Sequence, residues 1–268
     1  MTNRIPASDG CELNIRILRT TPSPATPILF IHALAMNGDM WGEVAARLAV
    51  DAPMAALDCR GHGASGKPAG PYQIDRFAHD VRDVLDALGW ERAIVVGCSM
   101  GGTVAQGFAG SFPQRCAGLV LVDTTCWYGE NAAAAWAARA AKAQSEGLPA
   151  LVPFQTERWL SADFSARHPE VLRRALDVFL ANDVPAYVAS CRMLGAADER
   201  ERIARYRGPA DVIVGEADQA TPLAMAEDLA RRLRGANLTV IPRTRHFTVL
   251  EAPDEVAERI AALHARAV

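Results

Sequence analysis

The chain has no Cys-x-x-Cys pair. Its six cysteines, Cys11, Cys59, Cys98, Cys116, Cys126 and Cys191, are scattered, so neither a disulfide framework nor a zinc-ligand spacing can be read. Long apolar runs are also missing, which excludes a membrane-spanning helix. The start, MTNRIPASDGCELNIRIL, has no such run either, and no signal peptide is expected. A reducing cytoplasm is the expected setting, with the thiols mostly buried as small apolar side chains. Nor is there an excess of one charge: 28 Lys and Arg against 31 Asp and Glu give a net charge of −3. Without a basic stripe, neither nucleic acid nor a membrane is an expected partner. Internal repeats are lacking too. What remains is a chain of 268 residues, half of them apolar and 22% charged. That suits one large domain with room for an insertion.

Short β-rich runs alternate with helical patterns. The expected strands are Cys11 to Leu18, Pro27 to His32, Met54 to Asp58, Ala93 to Cys98, Gly118 to Asp123, Ala210 to Gly215 and Leu238 to Pro242. Several are apolar almost throughout, as strands covered on both faces are. Helices are expected at Ile74 to Leu88, Met100 to Phe112, Pro222 to Leu233 and Pro253 to Arg266. Gly89 and Gly235 stand where helix stops belong, and Pro222 and Pro253 where helices begin. This alternation predicts an α/β fold with a mostly parallel central sheet flanked by helices. From about Cys126 to Arg207 no strand is expected. The segment is rich in Ala, Arg, Leu and Glu and punctuated by Pro149, Pro153, Pro169 and Pro185, so it reads as several short helices inserted between two strands.

One junction carries chemistry. Gly97-Cys98-Ser99-Met100-Gly101 sits where a strand pattern ends and a helix pattern begins. A serine hydroxyl is a poor nucleophile and must be lifted to where a base can reach it. A sharp strand-to-helix turn lifts it but crowds the backbone, and glycines on either side relieve the crowding. The same turn aims backbone N–H groups at a helix N-terminus, where negative charge is stabilised. Ser99 is the candidate nucleophile.

A base and an orienting acid are expected in the order serine, acid, histidine. His246 follows the strand ending at Pro242, and Asp218 follows the apolar run ending at Gly215. Both belong on loops at the carboxyl edge of the sheet, as Ser99 does, where sites of open α/β sheets lie. Asp123 also ends a strand and is the alternative acid. Glu216 is expected to point elsewhere, and His79, His168 and His264 to be structural or solvated. For an oxyanion hole the expected donors are the N–H of Met100 and the N–H of Leu34, in the loop His32-Ala33-Leu34-Ala35. Cys98 is given no role.

Taken together these residues resemble the α/β-hydrolase superfamily. "FIHALAMNGDMW" is similar to its oxyanion-loop segment and "LDCRGHGASGKP" to its Asp-x-Arg-Gly-His-Gly turn. The resemblance implies a core of residues 1–125 and 208–268, with residues 126–207 as a helical cap. Within the superfamily the likeness is to 3-oxoadipate enol-lactonases, carried by "GCSMGG", "WAARAAKAQSEGL", "RWLSADF" and "AYVASCRMLGAADER". The chain departs from that family at the oxyanion loop. The family usually has a small polar residue before the leucine and a glycine after it, where this chain has Ala33 and Ala35. It departs again after Asp123.

The resemblance implies a small enol-lactone bearing one carboxylate, opened through an acyl-enzyme with no metal or organic cofactor. Such a substrate calls for apolar walls and one cation. Trp136 and Arg139 lie three apart, hence on one helix face, and arginine can grip a carboxylate with two parallel bonds. Trp159 is a further wall candidate. Lys142, Arg192, Arg243 and Arg245 are weaker candidates for the cation. Rival readings are a carbon–carbon or amide hydrolase of another carboxylated substrate, an acyltransferase, or a non-catalytic small-ligand binder. A small molecule is the expected partner; the oligomeric state is not legible.

Overall fold

The computed structural model describes residues 2–20 and 23–267. Eight strands form one sheet: β1 (Thr2–Pro6), β2 (Glu12–Arg19), β3 (Ile28–Ile31), β4 (Met54–Asp58), β5 (Ala93–Cys98), β6 (Cys116–Val122), β7 (Ala210–Gly215) and β8 (Asn237–Ile241). Their order across the sheet is β1-β2-β4-β3-β5-β6-β7-β8. β2 runs antiparallel to β1 and to β4, and the neighbours from β4 to β8 are parallel. Every residue of β3 to β7 is buried, which is why those runs are almost wholly apolar.

β1 escapes sequence reading because TNRIP has no apolar alternation. It is held through its antiparallel register with β2, Thr2 opposite Arg16 and Pro6 opposite Glu12. The expected β2 lies one residue later than read, at Glu12–Arg19, and β6 begins two residues earlier, at Cys116. β4, β5 and β7 fall where expected, and β3 and β8 differ by a residue at each end.

The helices are α1 (Gly42–Arg47), α2 (Ile74–Ala87), α3 (Met100–Ser111), α4 (Ala132–Glu146), α5 (Val152–Trp159), α6 (Ala162–Arg167), α7 (Pro169–Leu180), α8 (Val184–Ala196), α9 (Arg200–Ile203), α10 (Leu223–Arg232), α11 (Thr248–Glu251) and α12 (Pro253–Arg266). α2 shows the logic. Ile74, Phe77, Ala78, Val81, Val84 and Leu85 recur at helical spacing and are its buried stripe. Gly89 then takes φ +66°, a left-handed stop that a glycine adopts without steric cost. No described helix is long and apolar enough to cross a membrane.

α4 to α8 lie between β6 and β7 in the chain. The two ends of this segment meet at one antiparallel bridge between Trp127 and Asp198, beside a Glu199 N–H to Cys126 carbonyl bond of 2.8 Å. After the bridge, Arg202 pairs with Asp75 of α2 at 2.6 Å, and the Tyr206 hydroxyl lies 3.5 Å from the Cys116 thiol of β6.

Two buried networks brace the loops at the carboxyl end of β4. Arg60, 3% exposed, donates two bonds of 2.6 Å to Asp80 and bonds of 2.9 and 3.1 Å to Asp9. The buried Asp58 carboxylate accepts from Asn14, from Arg16 and from the N–H groups of Gly38 and Ala64. Each buried acid is thus fully matched by donors, the condition for burying a charge. All six cysteines are free, and only Cys11 is partly exposed.

Candidate active site

Ser99 sits between β5 and α3 with φ 52° and ψ −116°, a conformation that costs a non-glycine residue about 1–3 kcal/mol. Its surroundings impose it. The Ser99 N–H donates to the Val122 carbonyl at 2.9 Å, and the Ser99 carbonyl accepts from Thr124 Oγ1 at 2.7 Å. The flanking glycines are required by close approach. A Cβ on Gly97 would collide with the backbone of Gly101, and one on Gly101 with the Ile31 and His32 carbonyls. The G-x-S-x-G spacing is the cost of folding a helix back against the strand that precedes it.

The three residues read from the sequence meet. His246 Nε2 lies 2.9 Å from Ser99 Oγ, and His246 Nδ1 lies 2.8 Å from Asp218 Oδ2. An ionised carboxylate only accepts, so the proton belongs on Nδ1 and the Nε2 lone pair faces the serine hydroxyl. Asp218 is held by the N–H groups of Ala220 and Thr221 at 2.7 and 3.0 Å and by Thr221 Oγ1 at 2.8 Å. Burial pulls the His246 pKa down, but the charge and hydrogen bond of Asp218 outweigh it and leave it above the usual value. Burial pushes Asp218 up, and His246 together with the Thr221 donors more than reverses this. This arrangement can deprotonate a hydroxyl and stabilise the resulting imidazolium.

Asp123, the alternative acid, does something else. Its Oδ1 accepts from the Gly215 N–H at 3.0 Å; its Oδ2 accepts from the Thr248 N–H and hydroxyl at 3.0 and 2.7 Å. It thereby ties the end of β7, which leads to Asp218, to the residue two past His246. Its neighbours Val122 and Thr124 hold Ser99, so the end of β6 anchors all three loops. Burial and the like charge of Asp218 push Asp123 up to about 8.

Of the two expected oxyanion donors, Met100 follows Ser99 directly and Leu34 lines the same cavity as Ser99. Among the described residues neither the Leu34 nor the Met100 N–H donates to a protein acceptor. The Cys59 N–H donates to His32 Nε2 at 2.9 Å, so Nδ1 is the protonated nitrogen, and it donates to the Ala33 carbonyl at 2.7 Å. That carbonyl and the Leu34 N–H share one planar trans peptide and point opposite ways. The ring that fixes one fixes the other. Asn182, just past α7, donates to the Ala35 carbonyl at 2.8 Å.

Above Ser99 lies a cavity of about 630 Å³, walled by α4 and α5. Trp136 lines it and meets the Tyr128 ring edge-on at 5.3 Å. Arg139 lines it too. Its Nε donates to the Tyr187 hydroxyl at 2.6 Å, and its guanidinium lies 5.0 Å from the Trp136 ring and 5.4 Å from Phe154. Trp159 contributes one edge, being 4% exposed and stacked on Phe247 at 5.1 Å. Lys142 lines the cavity but pairs with Glu146 at 2.8 Å. Arg192 and Arg243 are exposed elsewhere, and Arg245 donates to the Glu157 carbonyl. Glu216 accepts from the Arg243 N–H at 3.0 Å, away from His246.

Among the lining residues that sequence reading missed are two polar ones, Gln155 and Arg158, both on α5. The signal was there: Gln155, Arg158 and Trp159 stand at i, i+3 and i+4, one face of a helix.

An eight-stranded α/β sheet with a serine, a histidine and an acid joined at its carboxyl edge defines a class of proteins. Residues 26–253 match the family model described as alpha/beta hydrolase fold, and the chain belongs to that family and is a hydrolase. Among curated proteins it is 30% identical to 3-oxoadipate enol-lactonase 2 of Acinetobacter baylyi over 239 residues, 89% of this chain and 88% of that one. It is 28% identical to 3-oxoadipate enol-lactonase 1 of the same organism, over 95% of this chain and 92% of that one. Among solved structures it is similar to the enol-lactonase from Burkholderia xenovorans LB400. That match has a TM-score of 0.93 and 31% identity, over 98% of this chain and all of the other.

Proposed function

We propose that this hydrolase opens a small carboxylated enol-lactone, of the kind 3-oxoadipate enol-lactonases are named for, by covalent catalysis at Ser99. His246 takes the hydroxyl proton as Oγ attacks the ring carbonyl. The N–H groups of Leu34 and Met100 receive the oxyanion, and Asp218 stabilises the imidazolium. Collapse breaks the ring C–O bond. The departing enolate takes the proton from His246 and settles as a ketone, and a water activated by His246 releases the acyl group from Ser99. An enolate leaves readily, so proton donation to it need be only modest.

The observation that carries this reading is the Asp218–His246–Ser99 hydrogen-bond chain under a cavity lined by Arg139, Lys142 and Arg158 and, among the described residues, by no Asp or Glu. In a chain of net charge −3, a wall with cations and no carboxylate favours an anionic substrate. Arg139 is assigned the substrate carboxylate, with Trp136 and Trp159 as walls. In this reading residues 126–207 act as the cap on a core of 1–125 and 208–268, and the protein works in the cytoplasm, in the catabolism of aromatic compounds. No cofactor, nucleic acid or membrane enters the scheme.

The test is direct. Enol-lactone hydrolysis by the wild type should exceed that of a neutral ester of equal size, and Ser99→Ala should lose about 10⁴-fold or more in kcat/KM with an unchanged melting temperature. A folded Ser99→Ala protein that keeps its rate would overturn the serine mechanism. Equal rates on both substrates would overturn the carboxylated-lactone assignment.

A further inference from the structure

Two side chains of the cavity wall, Tyr128 and Gln155, each bury a polar atom that has no hydrogen-bond partner among the described residues. Gln155 is 2% exposed, lies in the middle of α5 and lines the cavity. Its Nε2 is buried and has no hydrogen-bond partner among the described residues. A buried amide donor left unmatched destabilises the fold, and methionine, of nearly the same length and volume, would fill the position without that penalty. The group is also fixed in place. One turn on, at i+4, Trp159 is clamped between Phe179 at 5.5 Å and Phe247 at 5.1 Å. The Trp159 carbonyl accepts the Phe247 N–H at 2.9 Å, next to His246. α5 is therefore strapped to the histidine loop, and Gln155 faces the cavity from the same helix face as Trp159.

The neighbouring cations fit the same pattern. Arg158, one turn from Gln155, and Arg139 of α4 both lie against the Phe154 ring, at 4.0 and 5.4 Å. Neither forms an ion pair with a carboxylate among the described residues, whereas Lys142 does. Two guanidiniums and one buried amide thus line the cavity with no carboxylate set against them among the described residues, and Arg139 is tied only through Nε to the Tyr187 hydroxyl.

We propose that Gln155 is a specificity-determining residue, donating from Nε2 to an oxygen of the substrate's carboxylate arm alongside Arg139. The substrate class follows. The acyl chain carries an acceptor oxygen at its far end, and a purely hydrocarbon chain is selected against because it leaves the amide buried and unmatched. This rests on the proposed carboxylated substrate and deepens it, since one cation alone would not discriminate a carboxylate from any other anion placed nearby.

The experiment is Gln155→Met, read in two ways. The first is the ratio of kcat/KM for a carboxylated lactone to that for a neutral ester, which should fall about tenfold to a hundredfold, the range for a hydrogen bond to a charged group. The fall should be mainly in KM. The second is stability: the melting temperature should hold or rise, because an unmatched amide is removed. A structural role for Gln155 gives the opposite, a lower melting temperature with an unchanged ratio, and would overturn the proposal. Binding separates this outcome from failure of the proposed function. Adipate, added to folded Ser99→Ala protein, should raise its melting temperature, and the rise should shrink when Gln155→Met is added. An adipate shift that is the same with and without Gln155 rejects the residue's role, whatever lactone the enzyme prefers.

Discussion

The rim of the sheet and the helical wall above it treat polar groups in opposite ways. At the rim the side chains that position the serine, the histidine and the oxyanion loop are matched. Asp218 takes donors from Ala220, Thr221 and His246; Asp123 takes them from Gly215 and Thr248; His32 is matched on both nitrogens. On the wall, the Gln155 amide nitrogen is unmatched, and Arg139 is tied only through Nε to a tyrosine hydroxyl. A satisfied network holds geometry, and a wall of free donors recognises something brought from outside. Chemistry and selectivity are therefore assigned to separate parts of the molecule, and substitutions in the two should have separable signatures.

The largest effect expected of that contrast is at Asp218. Asp218→Asn removes the charge that outweighs burial at His246. In the wild type the base is protonated, and inactive, below a pKa raised above about 6.5, its ordinary value. Activity should therefore climb with pH through a point above that value. In the variant burial prevails, so the acid limb of kcat/KM should move to lower pH while the plateau falls about 10⁴-fold. If the limb and plateau both stay, Asp123 is the functional acid and the reading of the rim is wrong.

A smaller effect is expected on the wall. Arg139→Met should raise KM for a carboxylated lactone about tenfold or more, with little change in kcat and a much smaller change for a neutral ester. Steady-state kinetics on the two substrates side by side decides it. Equal changes on both would mean that Arg139 serves the wall's packing against Trp136 and Tyr187 and not recognition.

The same division explains what could be read from the chain. The rim was legible because its chemistry imposes local signatures: glycines two residues either side of Ser99, and an acid and a histidine each a few residues past the end of a strand. Asp218 was the expected acid, but Asp123 stood as an alternative because both follow strands. Only the fold shows that Asp218 reaches Nδ1 while Asp123 turns to Thr248. β1 was illegible because backbone pairing with β2, not side-chain pattern, makes it a strand. The wall was half legible. Trp136 and Arg139 are large and conspicuous at i and i+3, whereas Gln155 is unremarkable in sequence. What singles it out is burial without a partner, a property that exists only once α5 is docked on the histidine loop.

The smallest expected effect lies where wall and rim touch. Ala35 follows the proposed oxyanion donor Leu34 and is held at φ 59°, a left-handed backbone that disfavours any residue with a Cβ. Its carbonyl is the one that Asn182, from the helical segment, holds at 2.8 Å. Ala35 is fully buried. Ala35→Gly removes the strain, worth roughly 1 kcal/mol in the folded state, but gives the unfolded chain more freedom, which offsets up to about 1 kcal/mol. Stability by denaturant titration should therefore change by less than about 1 kcal/mol. The informative quantity is kcat. If the strained turn positions the Leu34 N–H and Asn182 is enough to keep it there, kcat should stay within about twofold in Ala35→Gly and fall when Asn182→Ala is added. A fall in the single variant would instead place the control of the oxyanion loop in the alanine's own backbone and remove the helical segment from it.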